Sequence, residues 1–209
     1  MADEPGPVEL ITPEQVRAHY QEPHPIALAK EMRQLDRHCR DFIALCPFVV
    51  IATSDAEGRV DATPRGDAPG FVVVRDARTL LIPDRRGNNR VDTMMNIAEN
   101  PHVGLLFMVP GRPETLRVNG PARITVDPEV LAPLSADSKP PQAAILVSIE
   151  EVYFQCGKAL LRSHLWDADR HIARDALAPI GQVFAEQCAF DYDPGIETVI
   201  QDDYRDNLY

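Results

Sequence analysis

Leu80–Arg90 reads LLIPDRRGNNR. Leu80, Leu81 and Ile82 make an apolar strand that runs into Pro83, and Arg85, Arg86 and Arg90 crowd the turn that follows. Pro83 is expected to end the strand, because its nitrogen has no hydrogen to give to a ladder. Gly87 permits a close backbone approach. Asn88 suits a helix N-cap, which would put Asn89 and Arg90 in the first helical turn. A helix start offers unpaired N–H groups and partial positive charge. With arginines and amides added, the turn reads as a cradle for a phosphate.

The sequence on either side has β character. FVVIATS (48–54), FVVVRD (71–76) and TLLIP (79–83) read as strands. DAEGR (55–59) reads as a turn with Gly58 at positive φ, and VDATPRGDAPG (60–70) as an extended run that then turns. In NNRVDTMMNIAENP (88–101), Val91, Met94, Met95 and Ala98 recur at helical spacing until Pro101. HVGLLFMVPG (102–111) and ETLRVNGPARITV (114–126) predict a hairpin. PEVLAPLSADSKPPQ (128–142) predicts a short helix and loop, and AAILVSIEEVYFQC (143–156) one last long strand. Six or seven short strands with one helix among them argue for a single antiparallel barrel.

The ends are helical. Thr12, Pro13 and Gln15 carry the marks of a capping box. Leu28, Met32, Leu35, Cys39, Phe42 and Ile43 predict one amphipathic helix from Ile26 to Leu45. KALLRSHLW (158–166) and DRHIARDALAPIGQVFAEQC (169–188) are helical in pattern, the second divided at Pro179 and Gly181. The polar tail with Tyr192, Tyr204 and Tyr209 is expected to dock rather than stay disordered. The expected organisation is a helical extension (1–46), a barrel domain (47–156), and C-terminal helices and tail (157–209) that pack on the barrel or on a partner.

Across 209 residues, 21 Lys and Arg oppose 32 Asp and Glu, a net charge of −11. Such a chain repels polyanions, which argues against nucleic acid as a partner. The charge is uneven: residues 191–209 carry six acids against Arg205, whereas from Arg59 to Asp92 seven arginines face five aspartates. Arginine's fixed fork of donors suits phosphate or carboxylate. Cys39, Cys46, Cys156 and Cys188 are too widely spaced for a zinc site, and Cys156 is expected to be a structural thiol. No apolar run approaches the ~18 residues of a membrane span. The acidic, proline-rich start is unlike a signal peptide, so a cytoplasmic location is expected.

Dinucleotide, P-loop, serine-hydrolase and zinc-protease fingerprints are all missing. Nucleoside diphosphate hydrolysis would need a Glu-rich metal-binding helix, which is also missing. No catalytic residue stands out and no metal site is expected, so the chemistry points to a borrowed cofactor.

In their order and spacing, FVVIATSDAEGRVDATPRGD, GFVVVRDARTLLIPDRRGNNRVDTMMNIAENPHVGLLF and ETLRVNG resemble the pyridoxamine 5′-phosphate oxidase-like family of flavin mononucleotide (FMN)-binding split barrels. The resemblance spans roughly residues 42–127, and an uncharacterised bacterial branch also carries a pattern like YFQCGKA…RSHLW (153–166). It implies a mainly β, antiparallel split barrel with flanking helices, working as a homodimer with FMN at the subunit interface. It implies FMN contacts at Thr63, Pro64, Arg65 and Gly66; at Ile82 and Pro83; at Asn88, Asn89 and Arg90; and at Thr115 and Arg117, near the polar edge of the ring. Better-known members carry an Arg-Lys pair where this chain has Asn88-Asn89, which moves the cationic role to Arg65 and Arg90. The Arg-x-His element with which pyridoxine phosphate oxidases grip their substrate is missing from the tail. The implied activity is therefore an FMN-dependent oxidoreductase acting on an unknown small molecule. The alternative is a non-catalytic flavin, deazaflavin or haem binding or storage protein, with His102 or His164 as haem ligand. Trp166 is expected in the core, with stacking on the ring as its other reading.

Overall fold

A computed structural model describes residues 10–208. The chain divides into two units, Met1–Glu31 and Met32–Tyr209. The first holds α1 (Pro13–His19) and α2 (Pro25–Ala29). The expected capping box is present: Gln15 N–H donates to Thr12 Oγ1 at 3.3 Å, and Thr12 N–H donates to Gln15 Oε1 at 2.7 Å.

The second unit is the antiparallel split barrel. Its elements are α3 (Arg37–Ala44), β1 (Phe48–Ser54), β2 (Val60–Gly66), β3 (Val73–Val74), β4 (Thr79–Asp84), α4 (Asp92–Glu99), β5 (His102–Met108), β6 (Thr115–Thr125), α5 (Pro128–Leu131), β7 (Ala143–Ser148), β8 (Glu151–Gln155), α6 (Lys158–Ser163), α7 (Ile180–Cys188) and α8 (Gly195–Asp206). The strand order is β2-β1-β5-β6-β7-β4-β3, with β8 also on β6. The 11-residue β6 belongs to two sheets. Its residues 115–119 pair with β8, and residues 122–125 pair with β7. A buried cluster that includes Val49, Ile51, Leu80, Ile82, Leu105, Phe107, Leu116, Val118, Ile145 and Val147 fills the space between the sheets.

β4 explains why LLI is unbroken rather than alternating. Leu80 and Ile82 face the main core, while Leu81 faces a second cluster with Leu131, Leu134 and Ala144. A strand covered on both faces has no solvent side on which to place polar residues. β2 pairs with β1, so Pro64 sits in a strand where a missing donor is tolerated.

Four sequence expectations are corrected. The single helix over 26–45 is broken: Met32 forms a bridge with Val152 (N–H···O 3.0 and 2.8 Å), and Asp36 then caps α3 by accepting from Cys39 N–H at 2.8 Å. Pairing with the sheet outweighs helical periodicity there. FVVVRD contributes only the two-residue β3. The expected long strand over 143–156 is two strands, because the chain crosses from one half of β6 to the other between Ser148 and Glu151. Cys156 is exposed, so it is not a core thiol. Cys39 and Cys46 are buried, all four cysteines are free, and burial first, with Asp36 beside it, pushes the Cys39 thiol up to about 12.

After β8 the chain is anchored at the β5–β6 turn. Trp166 Nε1 donates to Arg112 O at 2.9 Å, and the indole is half-buried there rather than in the core. The tail forms α8, which packs on α7 where Gly181 meets Ile196 and Glu197. Among the described residues, no helix is long and apolar enough to cross a membrane.

Candidate functional site

Three pieces of chain converge beside the seam between β2 and β4. Along β2 the side chains alternate, and Asp61, Thr63 and Arg65 form the half-buried set. β4 ends in Asp84. The loop through Arg90 leads to α4, which is fastened to the sheet. Thr93 Oγ1 donates to Asp61 Oδ2 (3.2 Å), Asn96 Nδ2 to Thr53 Oγ1 (3.0 Å) and Asn100 Nδ2 to Ser54 Oγ (2.8 Å). Together they line a cleft of about 300 Å³ that holds Thr63, Arg65, Asp84, Asn88, Asn89 and Arg90. That volume lies at the lower end of the range for ligand pockets.

The arginines of the opening stretch divide their work. Arg85 is a strut: Nε meets Asp67 Oδ2 at 2.7 Å and Nη1 donates to Leu134 O at 2.7 Å. It ties β2 to the segment after α5. Arg86 is exposed, and Arg90 lines the cleft with Nε 2.8 Å from Asp92 Oδ2. The cation that faces inward comes from β2. Arg65 Nη2 lies 3.6 Å from Asp84 Oδ1, longer than a charge-assisted hydrogen bond, and Arg65 Nε is buried without an acceptor among the described residues. Burial raises the Asp84 carboxyl above its ordinary range, and the Arg65 charge opposes that shift.

Asn88 is not a helix cap. Its Oδ1 accepts from Arg90 N–H at 3.1 Å in a local turn, and α4 starts later, after Val91. Asn89 (φ 58°) and Val91 (φ 54°) are both left-handed, which delays the helix by turning the chain at these positions. Asn89 and Arg90 therefore belong to the loop rather than to the first helical turn.

The expected contact residues fall into three places. Thr63, Arg65, Asn88, Asn89 and Arg90 meet in the cleft. Ile82 and Pro83 are buried within β4. Pro64, Gly66, Thr115 and Arg117 share the outer face of the first sheet, because residues opposite one another in register point to one side. One row runs Pro64–Val50–Leu106–Arg117–Tyr153, and the next Gly66–Phe48–Met108–Thr115–Gln155. On that face Arg117 Nη1 donates to Tyr153 Oη at 2.9 Å. Sequence reasoning missed Asp61, Asp84, Thr93 and Gln142. Asp61 had a signal, two positions before Thr63 on the same strand face. Gln142 had none: it reaches the cleft through the β4–β7 pairing, where its N–H meets Asp84 O at 3.3 Å.

His102 and His164 do not line the cleft, and His164 Nδ1 lies 2.7 Å from Asp167 Oδ2. Among the described residues, no cluster of three or more His, Cys, Asp or Glu could hold a metal.

Among solved structures, HupZ of Group A Streptococcus is similar to the chain at 18% identity, covering 58% of this chain and 94% of that one, with a TM-score of 0.49. A putative pyridoxamine 5′-phosphate oxidase from Lactobacillus delbrueckii is similar at 23% identity, over 58% of this chain and 95% of that one (TM-score 0.47). The heme storage protein HutZ of Vibrio cholerae is similar at 15%, over 60% and 95% (TM-score 0.40). No curated protein matches the chain. The family described as pyridoxamine 5′-phosphate oxidase matches residues 35–156, more than half of the sequence. That span takes in α3, every strand of both sheets, and the Arg65 cleft. By this match the chain is a member of the pyridoxamine 5′-phosphate oxidase family.

Proposed function

We propose that the protein binds FMN through its phosphate in the Arg65 cleft and serves as an FMN-dependent oxidoreductase on a small molecule. The carrying observation is Arg65 Nε, a buried guanidinium donor with no acceptor of its own. A buried, unsatisfied donor costs about 1–3 kcal/mol. A phosphate oxygen placed there would remove that cost and add a charge-assisted bond. The residues present thus fit the group. Arg65 and Arg90 supply positive charge, Asn88 and Asn89 supply amide donors, and Thr63 supplies a hydroxyl.

When bound, FMN supplies hydride or electron transfer. The chain's own residues bind and orient it. Arg85, bonded to Asp67 and Leu134, ties down the start of the loop that carries Asn88, Asn89 and Arg90. The cleft is too small to enclose the ring as well, so the reading includes a homodimer. Its support is the outer face of the first sheet, where Phe48, Val50, Leu106 and Met108 form an apolar field beside Pro64 and Gly66. Thr115 is already buried within the chain, whereas packing that face against a second copy would bring Arg117 to the cofactor of the partner. There a cation near the N1–C2=O edge would stabilise the reduced ring. No feature of the cleft favours haem, since neither His102 nor His164 lines it.

The purified protein titrated with FMN is expected to quench flavin fluorescence to an endpoint of one FMN per chain. The loaded protein should sediment at twice the 23.2 kDa chain mass. Folded protein that leaves FMN fluorescence unchanged contradicts the reading.

A further inference from the structure

Asp84 is an uncommon companion for a phosphate. Its carboxylate is 17% exposed, and its nearest cation is the same Arg65 that the phosphate would use. The other charged groups around the cleft already have partners. On β2, Asp61 accepts from Thr93 Oγ1. On α4 and the loop before it, Asp92 holds Arg90 at 2.8 Å. Next along the chain, Arg85 is held by Asp67, which is 4% exposed. From β7 the facing groups are uncharged: Ala143 stands opposite Asp84 in register, and Gln142 lines the cleft beside it. Among the described residues, no second cation is therefore placed beside Asp84 when Arg65 turns to another anion.

We infer that Asp84 is the internal counter-ion that an incoming phosphate displaces from Arg65, and that FMN binding takes up a proton from solvent onto this carboxylate. The inference rests on the reading of the cleft as an FMN phosphate site. Two anions sharing one guanidinium within a few ångströms repel each other, and like charges at close range favour protonation of one of them. The carboxylate is the group prepared to yield, because burial already disfavours its charged form. No bond other than the O–H bond of the new carboxylic acid is formed or broken. That acid becomes a hydrogen-bond donor, and it can serve the phosphate it made room for. Asp84 thereby sets the charge state in which the cleft accepts its anion: a dianionic phosphate enters only with a compensating proton.

The sign follows from linkage. Bound protein holds more protons than free protein, so affinity falls as pH rises, by up to tenfold per pH unit where uptake is complete. The phosphate's own second ionisation, near pH ~6, acts in the opposite sense and only at lower pH, because a phosphate taken as the dianion sheds that proton on binding. The test is calorimetric titration of the whole protein with FMN at pH 7 and pH 8, in two buffers of different ionisation enthalpy. Wild-type protein is expected to take up a measurable fraction of a proton per FMN, larger at pH 7 than at pH 8. Asp84→Asn, nearly isosteric and uncharged, is expected to abolish most of that uptake, tighten FMN binding about tenfold at pH 8, and flatten the pH dependence. FMN binding without proton uptake by the wild type, or with equal uptake by Asp84→Asn, overturns the inference while leaving the FMN site intact. Absence of any FMN binding instead removes the site on which the inference rests. The wild-type measurement alone decides the matter should the variant fold poorly.

Discussion

Arg65→Ala is expected to weaken FMN binding about 100-fold, equivalent to about 2.7 kcal/mol. The variant removes the buried Nε donor and the Nη2 group that faces Asp84. Losing one partner of a buried charge-assisted contact costs about 2–5 kcal/mol, so the estimate sits in the lower part of that range. Arg65→Lys is expected to recover only part of the loss. An ammonium restores a point charge at the end of a flexible stem, but not a second donor set back along a rigid fork. β2 pairs with β1, and Arg65 is not part of the buried apolar cluster, so the fold should survive both changes. Fluorescence titration of each variant gives the ratio directly, and an Arg65→Ala affinity within twofold of wild type contradicts the assignment.

Gly120→Ala is expected to cost about 3–5 kcal/mol of stability, among the larger effects of a single substitution. Gly120 lies where β6 passes from its β8 pairing to its β7 pairing. An added Cβ would stand 1.9 Å from Ser148 O, with Glu150 N and Ser148 C each at 3.1 Å. These are backbone atoms of the crossing itself. They are held by Glu150 N–H donating to Asn119 O at 3.0 Å and Ile149 N–H donating to Arg78 O at 2.8 Å. A side chain could rotate away, but a backbone crossing cannot move without breaking pairs in both sheets. Urea denaturation should show the loss as a lower midpoint with the slope nearly unchanged. A midpoint equal to wild type would mean that the crossing yields freely.

The same two residues show what the sequence discloses and what it hides. The β-rich order was legible because strands write themselves in period two, with turn residues at their ends, as in FVVIATS followed by DAEGR. The phosphate-cradle reading of Leu80–Arg90 picked out a turn that lines the cleft. It gave the wrong roles within it, since Arg85 is spent on Asp67 and Leu134, 18 and 49 positions away, and such partners leave no local trace. Arg65 was named from resemblance, and in the structure it lines the cleft with Nη2 near Asp84 and Nε buried without a partner among the described residues. Asn88 was read as a cap because its side chain suits one. Two left-handed residues, Asn89 and Val91, moved the helix start instead. Gly120 had no reading at all. Its need arises only where Ser148 crosses β6, and the sequence presented 143–156 as one continuous strand. Met32 lost its helix for a similar reason, since its bridge to Val152 depends on where β8 comes to lie.

The central claim is that this cleft holds FMN by the phosphate, with Arg65 as the principal grip. The most direct measurement compares FMN with riboflavin, which carries the same ring and ribityl chain without the phosphate, on the wild-type protein under one set of conditions. FMN is expected to bind about 100-fold or more tightly than riboflavin, a difference of about 2.7 kcal/mol, and the ratio is expected to collapse toward one in Arg65→Ala. Equal affinity of the wild type for both flavins would contradict the claim.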